Sequence, residues 1–295
     1  MSRMTAPTTN HHAPDNGAIH FKGDDMTHHV VMTSSGKASW YVGKLVKAAM
    51  KDGDKLTLLF ADVKGNNPSP HAGEDEDNYR FLREGSANIG GELVILNEGR
   101  DIWEVFKDDK FLGNSRLANC SKFLKQKPCR DWLETNCEPA DTIVYVGIDW
   151  TESHRLPAIT KAYLPYTAKA PLCDPPYYTS DQIDAALAVE GIAPPRMYGK
   201  GFPHANCGGG CVRAGQAQFE LLLRTNPERY AYWEAKEQEV RDHLDKPVTI
   251  LRRQERNQPV PVTLRRFREE IERQPTMFDP DDFGGCGCFI DGDAA

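Results

Sequence analysis

No stretch of this 295-residue chain is apolar for anything near the roughly 18 residues that cross a bilayer, so a helical membrane anchor is not expected. A surplus of positive charge is also missing. Against 36 Lys and Arg stand 43 Asp and Glu, a net charge of −7, which argues against a surface that coats nucleic acid through broad basicity. The local exception is Arg252, Arg253, Arg256, Arg265, Arg266 and Arg268, a crowd read here as a solvated helix face. No internal repeat is visible. Residues 1–27 lack the apolar core of a secretory signal and read as a disordered leader. Eight cysteines without such a signal fit a cytoplasmic, reducing location, where thiols serve metal or redox chemistry rather than disulfides.

What is present is a strong alternation of elements. His28–Thr33, Lys55–Ala61, Glu92–Asn97 and Thr142–Ile148 are continuous apolar runs with β-branched residues, the pattern of parallel strands covered on both faces. Helical patterns lie between them at Ala38–Met50, Asp75–Ile89 and Ser121–Thr135, with Asp52-Gly53 and Gly90-Gly91 as stops. Strands alternating with such helices specify a doubly wound, mainly parallel α/β sheet over residues 28–160. Beyond it the texture changes. Leu156–Pro176 is Pro-rich and reads as irregular, Ser180–Val189 is a helix capped at Thr179 or Ser180, and Ala193–Gly210 reads as loop. Helices follow at Val212–Arg224, at Glu228–Leu244 behind Asn226-Pro227, and near Leu264–Arg273. Residues 161–276 therefore form a helical, cysteine-bearing C-terminal part, and 277–295 an acidic, Gly-rich tail.

Two groups of residues carry chemistry on this frame. Ser34-Ser35-Gly36-Lys37-Ala38-Ser39 follows the first strand and opens the first helix. Such a turn leaves backbone N–H groups unpaired at a helix N-terminus, where they can hold a phosphate. Gly36 permits close approach, Lys37 adds charge, and Ser34, Ser35 and Ser39 add hydroxyls. The Walker A spacing is not met, because no Gly stands five positions before Gly36. Asp62 ends the second strand, where it either receives a ribose hydroxyl or metal, or caps the following loop. The second group is cysteine. Cys207-Gly-Gly-Gly-Cys211 and Cys286-Gly-Cys288 are two pairs on Gly-rich turns, and four thiolates suit either Zn²⁺ or an iron–sulfur cluster. His204 offers an imidazole as a substitute ligand, while Cys129, Cys137 and Cys173 read as packing or surface residues.

The loop Ser34–Ser39 resembles the pyrophosphate loop, commonly Ser-Gly-Gly-Lys-Asp-Ser, of the adenine-nucleotide α-hydrolase superfamily. More narrowly the chain is similar to the phosphoadenosine phosphosulfate reductase family. Phe60-Ala61-Asp62, Tyr79-Arg80-Phe81-Leu82 before Gly90, Asn119-Cys120-Ser121-Lys122-Phe123-Leu124-Lys125, and Gly147-Ile148-Asp149-Trp150-Thr151-Glu152-Ser153-His154-Arg155 match its segments in order. The likeness spans about 30–156. Three departures stand out: Ser35 replaces one of the two Gly, the one before Gly36, Ala38 replaces the Asp, and the C-terminal Glu-Cys-Gly-hydrophobic-His segment is absent, with Phe283–Cys288 in its place.

The resemblance implies an enzyme of sulfur chemistry that binds ATP or phosphoadenylyl sulfate. It either reduces an adenylylated sulfate or activates a substrate for sulfur insertion with pyrophosphate release, using Mg²⁺ in the second case. Lys37, Lys125 and Arg155 would converge on the nucleotide phosphates, with Glu152 orienting Arg155 or binding metal, and Cys286 and Cys288 as mobile thiols. The resemblance also tilts the cysteines toward a 4Fe–4S cluster over Zn²⁺, held by Cys120, Cys207 and Cys211 with Cys286 or Cys288. A sulfur-donor protein and a nucleic-acid substrate are the partners it suggests. Two other readings stand beside it: a non-catalytic nucleotide-binding partner subunit, and a zinc-stapled nucleic-acid accessory protein.

Overall fold

Side chains alternate between the two faces of a strand, and in the central strands of this chain both sets are apolar. The computed structural model, which describes residues 26–114, 117–256 and 258–273, shows where that pattern leads. Strands β1 (His28–Thr33), β2 (Lys55–Asp62), β3 (Glu92–Asn97), β4 (Thr142–Val146) and β5 (Thr167–Lys169) form one five-stranded parallel sheet in the order β3-β2-β1-β4-β5. The helices are α1 (Lys37–Ala49), α2 (Glu76–Ile89), α3 (Ile102–Asp108), α4 (Asn119–Ser121), α5 (Lys127–Asn136), α6 (Leu156–Tyr163), α7 (Ser180–Val189), α8 (Arg196–Gly199), α9 (Gln216–Thr225), α10 (Pro227–Leu244) and α11 (Leu264–Arg273). A separate antiparallel hairpin joins β6 (Leu251–Glu255) to β7 (Gln258–Val262).

Val31, Leu56 and Leu58 pack on one face against Trp40, Val42 and Val46 of α1, Phe81 and Ile89 of α2, and Ile183 and Leu187 of α7. Val30, Met32, Leu59 and Ala61 point the other way, onto Leu133 of α5 and Ile159 of α6. Each such side chain, fully buried, contributes roughly 1.5–3 kcal/mol relative to exposure. This is the doubly wound α/β fold that the alternation predicts. No helix among the described residues is long and apolar enough to cross a membrane.

Four features differ from the sequence reading. β3 lies at the sheet edge, so Glu92–Asn97 is only partly covered, and Ile95 is 51% exposed. The Pro-rich stretch read as irregular contains α6 and the edge strand β5, so the sheet continues past residue 160. The helix at Ser121–Thr135 is broken by a π-turn at Lys122–Gln126. Pro128 has no N–H for the carbonyl four residues back, and Lys127 N–H bonds instead to Lys122 O. Arg252–Arg268 is not one helix face but the β6–β7 hairpin followed by α11. Its charges are answered by Glu270 beside Arg253 and Arg266, and by Glu234 beside Arg265 and Arg268.

A third core also redraws the boundary between the two parts. Ile102, Trp103, Val105 and Phe106 of α3 pack with Phe219, Tyr230, Trp233, Phe267 and Ile271 from α9, α10 and α11. The helix after β3 therefore belongs, in packing, to the C-terminal part. Residues 1–25 and 274–295 lie outside the described residues, and with them nearly all of the leader, the acidic tail, Cys286 and Cys288.

Candidate functional site

In this strand order the chain leaves β1 through α1 toward β2, and β4 later joins the opposite side of β1. Crossovers that diverge on either side of two adjacent strands open a crevice at their carboxyl ends. A cleft of about 430 Å³ lies there, lined by Ser34, Gly36 and Lys37 after β1 and by Gly147, Asp149, Glu152 and Arg155 after β4. Tyr178, Ile183, Tyr198, His204 and Asn206 close it from the C-terminal part. Its size is that of a small-molecule site.

The first turn is built by its own hydroxyls. Ser39 Oγ accepts the Ser34 N–H at 3.2 Å and donates to Gly36 O at 2.9 Å. Ser35 sits at φ 57°, the left-handed region that costs a non-glycine residue roughly 1–2 kcal/mol. Its hydroxyl is turned inward, donating to Ser34 O at 2.6 Å and receiving Asn78 Nδ2 at 3.4 Å. Ser35 and Ser39 thus shape the loop, while Ser34, Gly36 and Lys37 present it to the cleft. Gly36 caps α1 without any side-chain bond to the first-turn N–H groups. A Cβ on Gly147 would stand 2.9 Å from both N and Cα of Ser39, so β4 can approach the helix start only as glycine.

Lys37 is 9% exposed, with Nζ 2.6 Å from Asp184 Oδ2 on α7 and 4.8 Å from the centre of the Tyr198 ring. Asp149 caps the 3₁₀ turn Trp150–Arg155 by accepting the Thr151 N–H. That turn brings Arg155 Nη1 onto Glu152 Oε1, and leaves the buried Arg155 Nε without a partner. His204 Nδ1 is likewise buried and unpartnered in the same cleft. Burial, with the Lys125 ammonium nearby, pushes the His204 imidazole down to about 4, so it is neutral at pH 7.

The remaining expected site residues are placed elsewhere. Asp62 Oδ1 accepts Tyr79 Oη at 2.7 Å and the Lys64 N–H at 3.0 Å, the loop-capping alternative; it ties β2 to α2 and is not among the cleft-lining residues. Burial first, and the Asp62 charge second, raise the Tyr79 phenol. Lys125 is 4% exposed on the π-turn and lies 3.3 Å from Glu74 Oε1, so it does not converge with Arg155 on the cleft. Glu74 also accepts the Cys207 N–H. Complete burial pushes the Glu74 carboxyl up even with Lys125 beside it.

Cys207 and Cys211 meet across their turn, with Cys207 at φ 52° and Gly208 at φ 57°. The hydrogen bond between the two thiols, and then burial, raise Cys207 well above the ordinary range. The glycines between them answer to packing: a Cβ on Gly208 would meet Arg229 Nη1 at 2.1 Å, and one on Gly210 the Trp233 ring at 2.3 Å. Cys120 packs on the same core as this pair. Among the described residues no three His, Cys, Asp or Glu side chains are grouped to hold a metal. A two-sulfur pair does not by itself fit a 4Fe–4S cluster or a structural Zn²⁺, and Cys286 and Cys288 lie outside the described residues. Asp184, Tyr178 and Tyr198 were missed by the sequence reading. Asp184 and Tyr198 come from α7 and α8 and Tyr178 from the segment just before α7, all far along the chain, and no local motif marks them.

No protein-family model matches the chain, and no curated protein matches it. Solved structures do. One is a phosphoadenylyl-sulfate reductase of Candida auris in a phosphate complex, at TM-score 0.38 and 15% identity, covering 61% of this chain and 80% of that one. Another is a U34-tRNA thiolase of Methanococcus maripaludis with its 4Fe–4S cluster, at TM-score 0.41 and 13% identity, covering 72% of each chain. A third is an NH₃-dependent NAD synthetase of Campylobacter jejuni, at TM-score 0.36 and 14% identity, covering 76% of this chain and 86% of that one. Likeness at this level assigns no role to any residue here.

Proposed function

We propose that the chain is an adenine-nucleotide-dependent enzyme of sulfur chemistry, with the nucleotide phosphates held at the start of α1. The observation that carries this reading is the meeting, in one cleft, of an uncapped helix N-terminus, Lys37, and an Arg155 guanidinium whose Nε has no partner. Backbone N–H groups and the helix dipole favour an anion there, and two cations at its sides add charge-assisted hydrogen bonds. Apolar Met32, Val146 and Ile148 with Tyr178 line the same cleft and suit a planar base. The narrowing to adenine and to sulfur rests on the ordered likeness of residues 30–156 to the pyrophosphate-loop enzymes.

In the ATP-using form of the reading, the loop N–H groups and Lys37 hold the pyrophosphate and stabilise its charge as it leaves. Arg155 holds the adjoining phosphoryl oxygens. Mg²⁺ bound with ATP supplies charge screening. Glu152 is engaged by Arg155 and therefore orients that guanidinium. In the reductase form the same groups hold the phosphates of phosphoadenylyl sulfate while a thiolate attacks its sulfur and the S–O bond to the nucleotide phosphate breaks, the bisphosphate nucleotide leaving; a second thiol from the donor then displaces sulfite as a disulfide forms. A non-catalytic partner subunit is the second reading, because Ala38 lines the cleft where the resembled loop commonly has a carboxylate.

Three measurements on the full chain separate them. Pyrophosphate released from ATP, and lost in Lys37→Ala, supports the activating enzyme. Sulfite released from phosphoadenylyl sulfate with a thiol donor supports the reductase. ATP binding with neither release, in the presence of candidate acceptors, supports the partner subunit. Absence of any nucleotide binding overturns all three.

A further inference from the structure

We infer that Asp184 of α7 is an internal carboxylate that occupies Lys37 until a phosphate takes its place, so that α7 sets the affinity of the loop. This rests on the phosphate-binding reading of Ser34–Ser39. The ammonium that reading needs is engaged in this structure: Asp184 Oδ2 stands 2.6 Å from Lys37 Nζ, 147 positions away in sequence. The two groups differ in exposure, the Lys37 side chain at 11% and Asp184 at 42%. The lysine is therefore fixed in the cleft wall, while the Asp184 side chain is in part exposed to solvent.

The pair's other neighbours favour exchange over a permanent structural bond. Asp184 Oδ1 is buried without a hydrogen-bond partner, an unsatisfied oxygen that weakens the hold on this position, so the Lys37 ion pair is the only polar contact shown for this carboxylate among the described residues. Lys37 keeps the Tyr198 ring beneath it at 4.8 Å, which holds the ammonium in place by cation–π attraction when the carboxylate leaves. The mouth of α7 also gives Ser180 and Ile183 to the cleft, so an entering ligand meets this helix as it reaches the loop. A phosphate arriving at Lys37 must break the ion pair, and the displaced carboxylate then repels it across a short distance. Both effects weaken binding, and both vanish when the charge of Asp184 is removed. A ligand of low charge replaces a carboxylate poorly, whereas a phosphoanhydride brings several charges and also reaches Arg155. The chemical class selected is thus a di- or triphosphate over orthophosphate or sulfate.

The test is calorimetric titration of inorganic pyrophosphate, orthophosphate and ATP into the wild type, Asp184→Asn, Lys37→Ala and a control, Asp181→Asn. Asp181 is exposed one turn earlier on α7, so the control removes the same net charge without touching Lys37. Asp184→Asn is expected to bind pyrophosphate about five-fold and orthophosphate about ten-fold more tightly, the scale of one partly exposed ion pair, with Asp181→Asn within two-fold of wild type. Unchanged or weaker binding in a folded Asp184→Asn, checked by its melting temperature, would overturn the proposal and make Asp184 a support that positions Lys37. Equal gains in both aspartate variants would reduce the effect to bulk charge and overturn it too. If wild type and Lys37→Ala bind alike, the phosphate reading itself fails, an outcome distinct from either of these.

Discussion

The cleft has two walls of different origin. One is made by the carboxyl ends of β1 and β4, with Ser34–Ser39 and Gly147–Arg155, and is backbone-rich and glycine-dependent, with Lys37 and Arg155 set beside Asp149 and Glu152. The other comes from α7, α8 and the turn at Pro203–Asn206, and is side-chain-rich: Tyr178, Asp184, Tyr198 and His204. The first wall uses geometry that any phosphate would find attractive. The second counters it, placing a carboxylate on the lysine and a neutral imidazole in the cavity. On the proposed reading, general anion affinity resides in the sheet ends, and selection in the later helices.

Substitutions can break that comparison, and the largest effect is expected at Lys37. Lys37→Ala removes a charge-assisted contact and should weaken pyrophosphate binding by about ten- to a hundred-fold in calorimetry, the range of roughly 1.5–3 kcal/mol. An unchanged affinity would move the anion site off the first wall. Gly147→Ala comes next. Its Cβ would press on the Ser39 backbone at 2.9 Å, and overpacking of this kind costs about 1–3 kcal/mol, visible as a lowered melting temperature and a weakened phosphate site together.

The second wall has a pH signature. The His204 imidazole is held near 4 in the folded chain against 6.5 for an ordinary histidine, so the unfolded state binds more protons between those values. Its contribution to stability is therefore present above pH 6.5 and lost as pH falls toward 4. His204→Gln should flatten the acid limb of a denaturation series by about 1–3 kcal/mol over that window, and an identical limb in the variant would refute the assignment. The smallest change is expected from Tyr198→Phe. The ring under Lys37 remains, so phosphate affinity should stay within about two-fold of wild type. A larger loss would give the Tyr198 hydroxyl a direct role with ligand.

Much of the first wall was legible in the chain. Continuous apolar runs with β-branched residues mark β1, β2 and β4, and the Ser-Gly-Lys turn between β1 and α1 marks the proposed anion site, because both signals are local. Even there the division of labour was not. Ser35 and Ser39 turned out to bind the loop to itself, and which hydroxyl faces a ligand depends on a left-handed φ that residue types alone do not encode. Asp62 and Lys125 show the same limit. Each has the residue type and position of a site group, but Tyr79 and Glu74, brought in from α2 and the loop before it, claim them. The edge strand β5 and the β6–β7 hairpin were hidden by proline and arginine, residues that strands accept at edges and in small exposed sheets.

Sequence alone determined the doubly wound sheet and a helix start with the residue types that suit a phosphate. These follow from steric and hydrogen-bonding rules that act within a few residues. Tertiary structure alone decided that Lys37 meets Asp184, that Arg155 and His204 line one cavity, and that the Cys207–Cys211 turn lies apart from it. Those outcomes depend on how α7 and the Pro203–Asn206 turn pack against α1, contacts between positions well over a hundred residues apart that no local pattern records.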